Sequence, residues 1–234
     1  MPFLSQSRFP RLWLLMQNTI GGNAAKKALA VENYTGQPRV LEIGCSVGNI
    51  SSAFAAFPNV RFTGIDIDRN AIALAQHRFR RAANFTFSLC SLGELAQRGE
   101  RFDYVLFAGM LHHVDDATAR QLLADAIRCT AADGKLVIYE PEAVRPGDHW
   151  FFRLFYAALE QGQFLRTRAE LTRLVESAGI ELDSAADRMI SPGIVERPYV
   201  ARFNLLVGHP ANADTNANTP LHTSVDDISD THGR

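Results

Sequence analysis

The sequence predicts an α/β protein: a doubly wound, mostly parallel seven-stranded sheet with an N-terminal helical lid. Three observations carry that prediction. The runs "RVLEIG", "VRFTGID", "NFTFSLC", "FDYVLFAG" and "GKLVIYEP" are apolar along their length, as strands buried on both faces are. The segments between them repeat apolar residues with helical period and carry helix caps. The first run ends in the turn "GCSVGN" and the second ends in an acid, Asp66. In a doubly wound sheet such a turn lies at the switch point, where ligands bind outside the carboxyl ends of the strands.

The elements follow in order. Residues 8–32 are apolar and alanine-rich, with Trp13, Leu15, Met16 and Ile20, and residues 1–36 are expected to form the lid. After "GID", Asp68 is placed to cap a helix with Ile72, Ala75 and Phe79 on one face. After "HHVD", Asp116 is expected to cap a helix presenting Leu122, Ala126 and Ile127, with Cys129 near its end and Gly134 as the stop. "TRAELTRLVESAG" specifies a helix almost completely. Thr167 and Glu170 form a capping box, Leu171, Leu174, Val175 and Ala178 form the stripe, and Gly179 is the C′ residue. "IELDSAAD" and "VARFNLLVG" supply two further strands. The core thus spans residues 37–208, with 148–170 inserted toward an acceptor pocket. Residues 209–234, poor in large apolar side chains, are expected to be a disordered tail.

Composition limits the function. The 234 residues hold 24 basic and 25 acidic side chains, net charge −1, with no cluster of five basic residues. That argues against a nucleic-acid or anionic-membrane surface. No stretch approaches the roughly 18 apolar residues of a membrane span, and "LWLLM" is too short for a signal-peptide core. Cys45, Cys90 and Cys129 have no metal-ligand spacing and suit reduced thiols in a cytoplasmic protein. No metal is expected, and the oligomeric state is not legible.

The turn after the first strand carries the chemistry. A strand turning directly into a helix is expected to expose backbone N–H groups there. A dinucleotide loop would read G-x-G-x-x-G; here Ser46 and Asn49 stand at the second and third glycine positions. Glu42, just before the turn, repels phosphate and attracts an amine. Asp66 is placed to accept ribose hydroxyls. Together they describe a site for a nucleoside carrying a positive charge, which S-adenosyl-L-methionine satisfies.

Here a resemblance can be named. "VLEIGCSVGN" resembles the first motif, E/D-x-G-x-G-x-G, of class I S-adenosylmethionine-dependent methyltransferases, departing at Ser46. "GIDID", "FTFSLCSL", "RFDYVLFAGMLHHVDD" and "AADGKLVIYEP" resemble the motifs that follow, and the resemblance covers about residues 38–208. It implies a Rossmann-like fold and S-adenosyl-L-methionine as cofactor. Glu42, Gly44, Cys45, Ser46, Gly48 and Asn49 would face its methionine part. Asp66 would hold the ribose, with Ile67 on the adenine. Cys90, Ser91 and Leu92 would edge the adenine, and Ala108 and Gly109 would back the sulfonium.

In-line displacement at a sulfonium methyl is driven mainly by proximity. A base is needed only if the acceptor must lose a proton, and His112 and His113 are the candidates. The N-P-P-Y type segment of amide- and nucleobase-directed enzymes is absent, and no recognition domain for a macromolecule is evident. The expected acceptor is therefore a small molecule of biosynthetic or secondary metabolism. Trp13, Gln17, Tyr156, Arg166 and Tyr199 are expected to line its pocket, Arg166 either binding an acidic acceptor or serving structure. The alternative is a non-methylating protein, or a cyclase or rearrangement catalyst, using the same cofactor site.

Overall fold

The computed structural model describes residues 15, 23–147, 153, 162–190 and 201–211. Trp13, Gln17, Tyr156, Tyr199 and most of the expected lid and tail lie outside the described residues.

Seven strands form one sheet in the order β3-β2-β1-β4-β5-β7-β6. They are β1 (Arg39–Ile43), β2 (Arg61–Asp66), β3 (Phe85–Leu89), β4 (Phe102–Ala108), β5 (Thr130–Pro141), β6 (Ile180–Ile190) and β7 (Ala201–Pro210). β1 to β5 pair in parallel, and β7 runs antiparallel between β5 and β6. The chain steps outward from β1 to β3 and returns to β4, so the switch point lies between β1 and β4.

Both faces are covered, which is why the strands read as continuous apolar runs. Along β1, Val40 points into one cluster with Phe54, Phe62, Tyr104 and Tyr139. Leu41, one residue on, points into the opposite cluster with Val105, Phe107, Leu123 and Leu174. Among the described residues the helices are α1 (Asn23–Val31), α2 (Arg69–Arg78), α3 (Leu92–Gln97), α4 (Asp116–Cys129) and α5 (Arg168–Ser177). On the first face Phe79 stacks on Phe85 with ring centroids 5.0 Å apart, and Phe85 stacks on Phe62 at 4.9 Å.

Several local expectations hold. Asp68 caps α2 by accepting from the Asn70 and Ala71 N–H groups. The Thr167–Glu170 capping box opens α5, and Gly179 follows it at φ +91°.

Others change. Asp115, not Asp116, caps α4, its Oδ1 accepting from the Thr118 N–H at 2.8 Å. Asp116 enters the first turn, where it faces Arg166. The buried stripe of α4 is Ala119, Leu123, Ala126 and Cys129, with Leu122 and Ile127 only partly covered. Gly134 does not stop that helix: α4 ends at Cys129 and Gly134 lies inside β5, which begins at Thr130. α3 was not expected; a Ser91–Glu94 capping box starts it. α1, inside the expected lid, packs on the sheet: Leu29 and Ala30 are buried, and the Tyr104 hydroxyl donates to the Ala30 carbonyl at 2.8 Å. β7 extends to Pro210, two residues past the expected core boundary.

Candidate active site

The turn after β1 does not lead into an α-helix. It passes through tight turns into a 3-10 helix, Ser51–Ala56. The serines that open that helix bond locally, Ser52 Oγ to the Asn49 carbonyl and Ser51 Oγ to Glu42, and such bonds compete with α-helical hydrogen bonding. The expected exposed N–H groups are correspondingly taken. Gly44 N and Cys45 N donate to the Ile65 carbonyl at 2.9 and 3.0 Å, and Gly48 N donates to the Cys45 carbonyl at 2.9 Å. Ser46 N donates to Asp66 Oδ2 at 2.8 Å. A turn with its donors spent in this way is a poor phosphate cradle.

Gly44 and Gly48 sit at φ +70° and +69°, and a Cβ on Gly48 would lie 2.8 Å from the Phe79 ring. Ser46 shares the left-handed backbone, at φ 53°, and its buried hydroxyl has no hydrogen-bond partner. The departure from the glycine pattern therefore carries strain and an unsatisfied oxygen. Ser46→Gly is expected to raise stability by about 1 kcal/mol, by removing the left-handed Cβ penalty. A urea midpoint unchanged or lowered at constant m-value would refute that.

Glu42 is 1% exposed. Its Oε2 accepts from Ser51 Oγ at 2.5 Å. Burial pushes the carboxyl up from its ordinary 4.5 to about 8, opposed by the Ser51 bond and reinforced by the charge of Asp66. Between those two values the native chain holds a proton that the unfolded chain has released. The stabilising contribution is thus full below 4.5 and is lost as pH rises through about 8. Cys45 is buried beside it, and burial first, then Glu42 and Asp66, pushes its thiol well up, so it is no nucleophile.

At the end of β2 the carboxylate of Asp66 accepts from Ser46 N through Oδ2 and from Asp68 N through Oδ1, both at 2.8 Å. Each oxygen keeps a second lone pair for a further donor. Beside it Ile67 is 80% exposed, an apolar side chain left open at the rim. On the neighbouring strand Leu89, the register partner of Asp66, is also exposed. The expected adenine edge is otherwise occupied by structure: Cys90 and Leu92 lie in the core, and Ser91 caps α3. Leu89, missed because it reads as one more residue of a buried strand, is the exposed apolar group at that edge. The Asn49 amide exchanges hydrogen bonds with Asn23, at 2.6 and 2.8 Å, tying the turn to α1.

The loop after β4 forms the other wall. Ala108 and Gly109 are partly exposed, Gly109 N donates to the Tyr139 carbonyl at 2.8 Å, and the Met110 side chain lies against Gly44. Leu111–His113 form a 3-10 turn, and the N–H groups of Met110, Leu111 and His112 converge on one carboxylate. Glu140 Oε1 accepts from Met110 N at 2.9 Å and Leu111 N at 2.8 Å. Its Oε2 meets His112 N at 3.3 Å and His112 Nδ1 at 2.7 Å. Glu140 is 3% and His112 6% exposed, whereas His113 is exposed, its ring centroid 4.0 Å from that of His112. The two histidines are therefore not equivalent. Glu140 was not singled out in the sequence, although an acid closing the fifth apolar run was the available signal.

Arg166 lies beneath this loop, not as a free pocket cation. Its NH1 donates to the Leu111 carbonyl at 2.8 Å, NH2 to the Val114 carbonyl at 2.9 Å and Nε to Asp116 Oδ1 at 2.9 Å. The guanidinium fork is spent on three protein acceptors, so the structural role is the one observed. Gly162 packs on the His112 ring, where a Cβ would clash with Cδ2. Among the described residues no group of three or more His, Cys, Asp or Glu is arranged to hold a metal ion, and no helix is long and apolar enough to cross a membrane.

This sheet order, with acids closing β1 and β2 around a glycine turn, defines a class I methyltransferase architecture. Residues 40–134 match the family described as "Methyltransferase domain". The chain is 31% identical over 140 residues to a demethylmenaquinone methyltransferase of Tropheryma whipplei, covering 60% of this chain and 56% of that relative. It thus spans about half that relative's length. The mitomycin 7-O-methyltransferase MmcR superposes with TM-score 0.65 at 17% identity, over 82% of this chain and 54% of that one. The [4+2]-cyclase SpnF superposes with TM-score 0.63 at 17% identity, over 81% of this chain and 82% of that one. At those identities the likeness is one of fold.

The cofactor of such a domain is S-adenosyl-L-methionine, and the residues present fit it. A buried acid with no cationic partner among the described residues, an acid at the end of β2 with spare lone pairs, and an open apolar rim at Ile67 would suit an ammonium, a ribose and an adenine.

Proposed function

We propose that this protein transfers a methyl group from S-adenosyl-L-methionine to a small-molecule acceptor of biosynthetic metabolism, with His112 as general base. The observation that carries the reading is the buried His112–Glu140 pair at the carboxyl ends of β4 and β5, across the switch point from the cofactor turn. Glu140 beside Nδ1 fixes the orientation of the ring that would take up an acceptor's proton. The cofactor supplies an activated methyl carbon. The protein orients, excludes water and takes up the hydroxyl proton, which suits an acceptor with an ionisable hydroxyl. The neutral charge balance and the quinone-pathway name of the Tropheryma relative both favour a small acceptor over a macromolecule.

Incubation with methyl-labelled cofactor and a panel of small phenols and hydroxy acids tests the reaction. Label transfer to a member is expected. Tight cofactor binding with no transfer to any acceptor would favour a non-methylating catalyst. The ribose assignment has its own test: Asp66→Ala is expected to weaken cofactor binding at least tenfold, through lost hydrogen bonds worth ~1.5–3 kcal/mol. Unchanged affinity by calorimetry would contradict it.

A further inference from the structure

Glu42 is buried with Asp66 as its charged neighbour and no cation beside it among the described residues. Ser51, opening the 3-10 helix, donates to it. From the end of β2 it faces Asp66, and Cys45 of the turn and Tyr139 of β5 lie within electrostatic reach. No lysine or arginine contributes to its environment among the described residues. The Tyr139 hydroxyl is buried with no hydrogen-bond partner, a donor idle beside a neutral carboxyl. An ionised Glu42, 1% exposed, has no counter-charge among the described residues, and S-adenosyl-L-methionine would bring two positive groups to this end of the sheet.

We infer that cofactor binding is coupled to the release of one proton from Glu42. The carboxyl O–H bond breaks, its electron pair stays on the carboxylate facing the new cation, and the proton leaves to buffer. The inference rests on the cofactor reading above and adds a linkage to it. Because burial holds the carboxyl up to about 8, the proton is present at neutral pH and available for release. The bound form carries one proton fewer, so affinity rises with pH up to that value and is level above it. The stability term described earlier runs the other way, falling over the same range.

Calorimetry with S-adenosylmethionine and S-adenosylhomocysteine, in phosphate and in Tris, reads the proton count directly. About one proton released per site near pH 6.5 is expected, with Kd tightening about tenfold per pH unit between pH 6 and 7. Glu42→Gln keeps an oxygen acceptor for Ser51 and should bind with no proton released and a flat Kd. Ser51→Ala, which removes a donor that favours the ionised form, should move the plateau to higher pH and serves if Glu42→Gln does not fold. Wild-type binding with no net proton release overturns the inference while leaving the cofactor reading intact. So does a Glu42→Gln protein that releases as many protons as wild type, or a Ser51→Ala plateau that does not move. Absence of binding at every pH overturns the cofactor reading itself, and the linkage with it.

Discussion

His112→Asn is expected to lower kcat for methyl transfer by about 10²–10⁴-fold while leaving the cofactor Kd within a factor of two or so. The size follows from the role. His112 sits in the water-poor seam between β4 and β5, with Nδ1 2.7 Å from the Glu140 carboxylate. Asparagine offers an amide N–H in place of Nδ1, so Glu140 keeps a donor and the loop keeps its shape. What would be lost is the imidazole proposed to take the acceptor's proton. A fall in kcat with little change in KM marks a group acting in the transition state. His113→Asn, at the exposed neighbour, is the control and should change kcat by less than about threefold, since an exposed ring offers no positioned base. If both variants fall equally, or neither does, the base assignment is wrong and proximity alone drives the reaction.

Arg166→Ala is expected to cost about 3 kcal/mol of stability. The substitution takes the arginine donor from the buried Leu111 carbonyl, which keeps only the Val114 N–H at 3.3 Å, and from the part-buried Val114 carbonyl, at about 1–3 kcal/mol for each weakened group. For a domain of this size that is a fall of about 6–12 °C in Tm. The salt bridge to Asp116 adds little, because that carboxylate is largely exposed. Arg166→Lys should recover only a small part of the loss, because one ammonium cannot hold three acceptors in the geometry of a planar fork. The competing role, an acceptor-binding cation, predicts the reverse: KM for an acidic acceptor rises while Tm stays put. Differential scanning calorimetry beside steady-state kinetics separates the two.

These two residues show what a linear reading reaches. His112 was visible because it follows a strand end in a motif with known spacing, and its neighbour looked equally good. Only the turn of Leu111–His113, which directs one ring inward and leaves the other outside, distinguishes them. Glu140 lies 28 residues further along the chain and belongs to the same site solely because β5 is hydrogen-bonded beside β4. Arg166 was placed in the site region, yet two of its three acceptors are backbone carbonyls, which have no signature in a sequence. The cap of α4 went to Asp115 instead of Asp116 for a similar reason: two adjacent acids satisfy the same local rule, and the contact of Asp116 with Arg166 accompanies the choice.

By itself the sequence determined the layered α/β fold, the place of the cofactor turn and the acids that bracket it. Those features are written in local periodicities: apolar runs buried on both faces, caps three residues from their acids, and glycines where the chain must turn left-handed. Tertiary structure alone decided that the turn spends its N–H groups on Ile65 and Asp66, that Ser46 occupies a glycine's backbone, and that Glu42 is buried with no cation beside it among the described residues. The physical reason is that burial, hydrogen-bond partnership and charge state depend on which distant segments pack together. Residue type and spacing fix which groups are available; the packing of β1, β2, β4 and β5 fixes what each is left free to do.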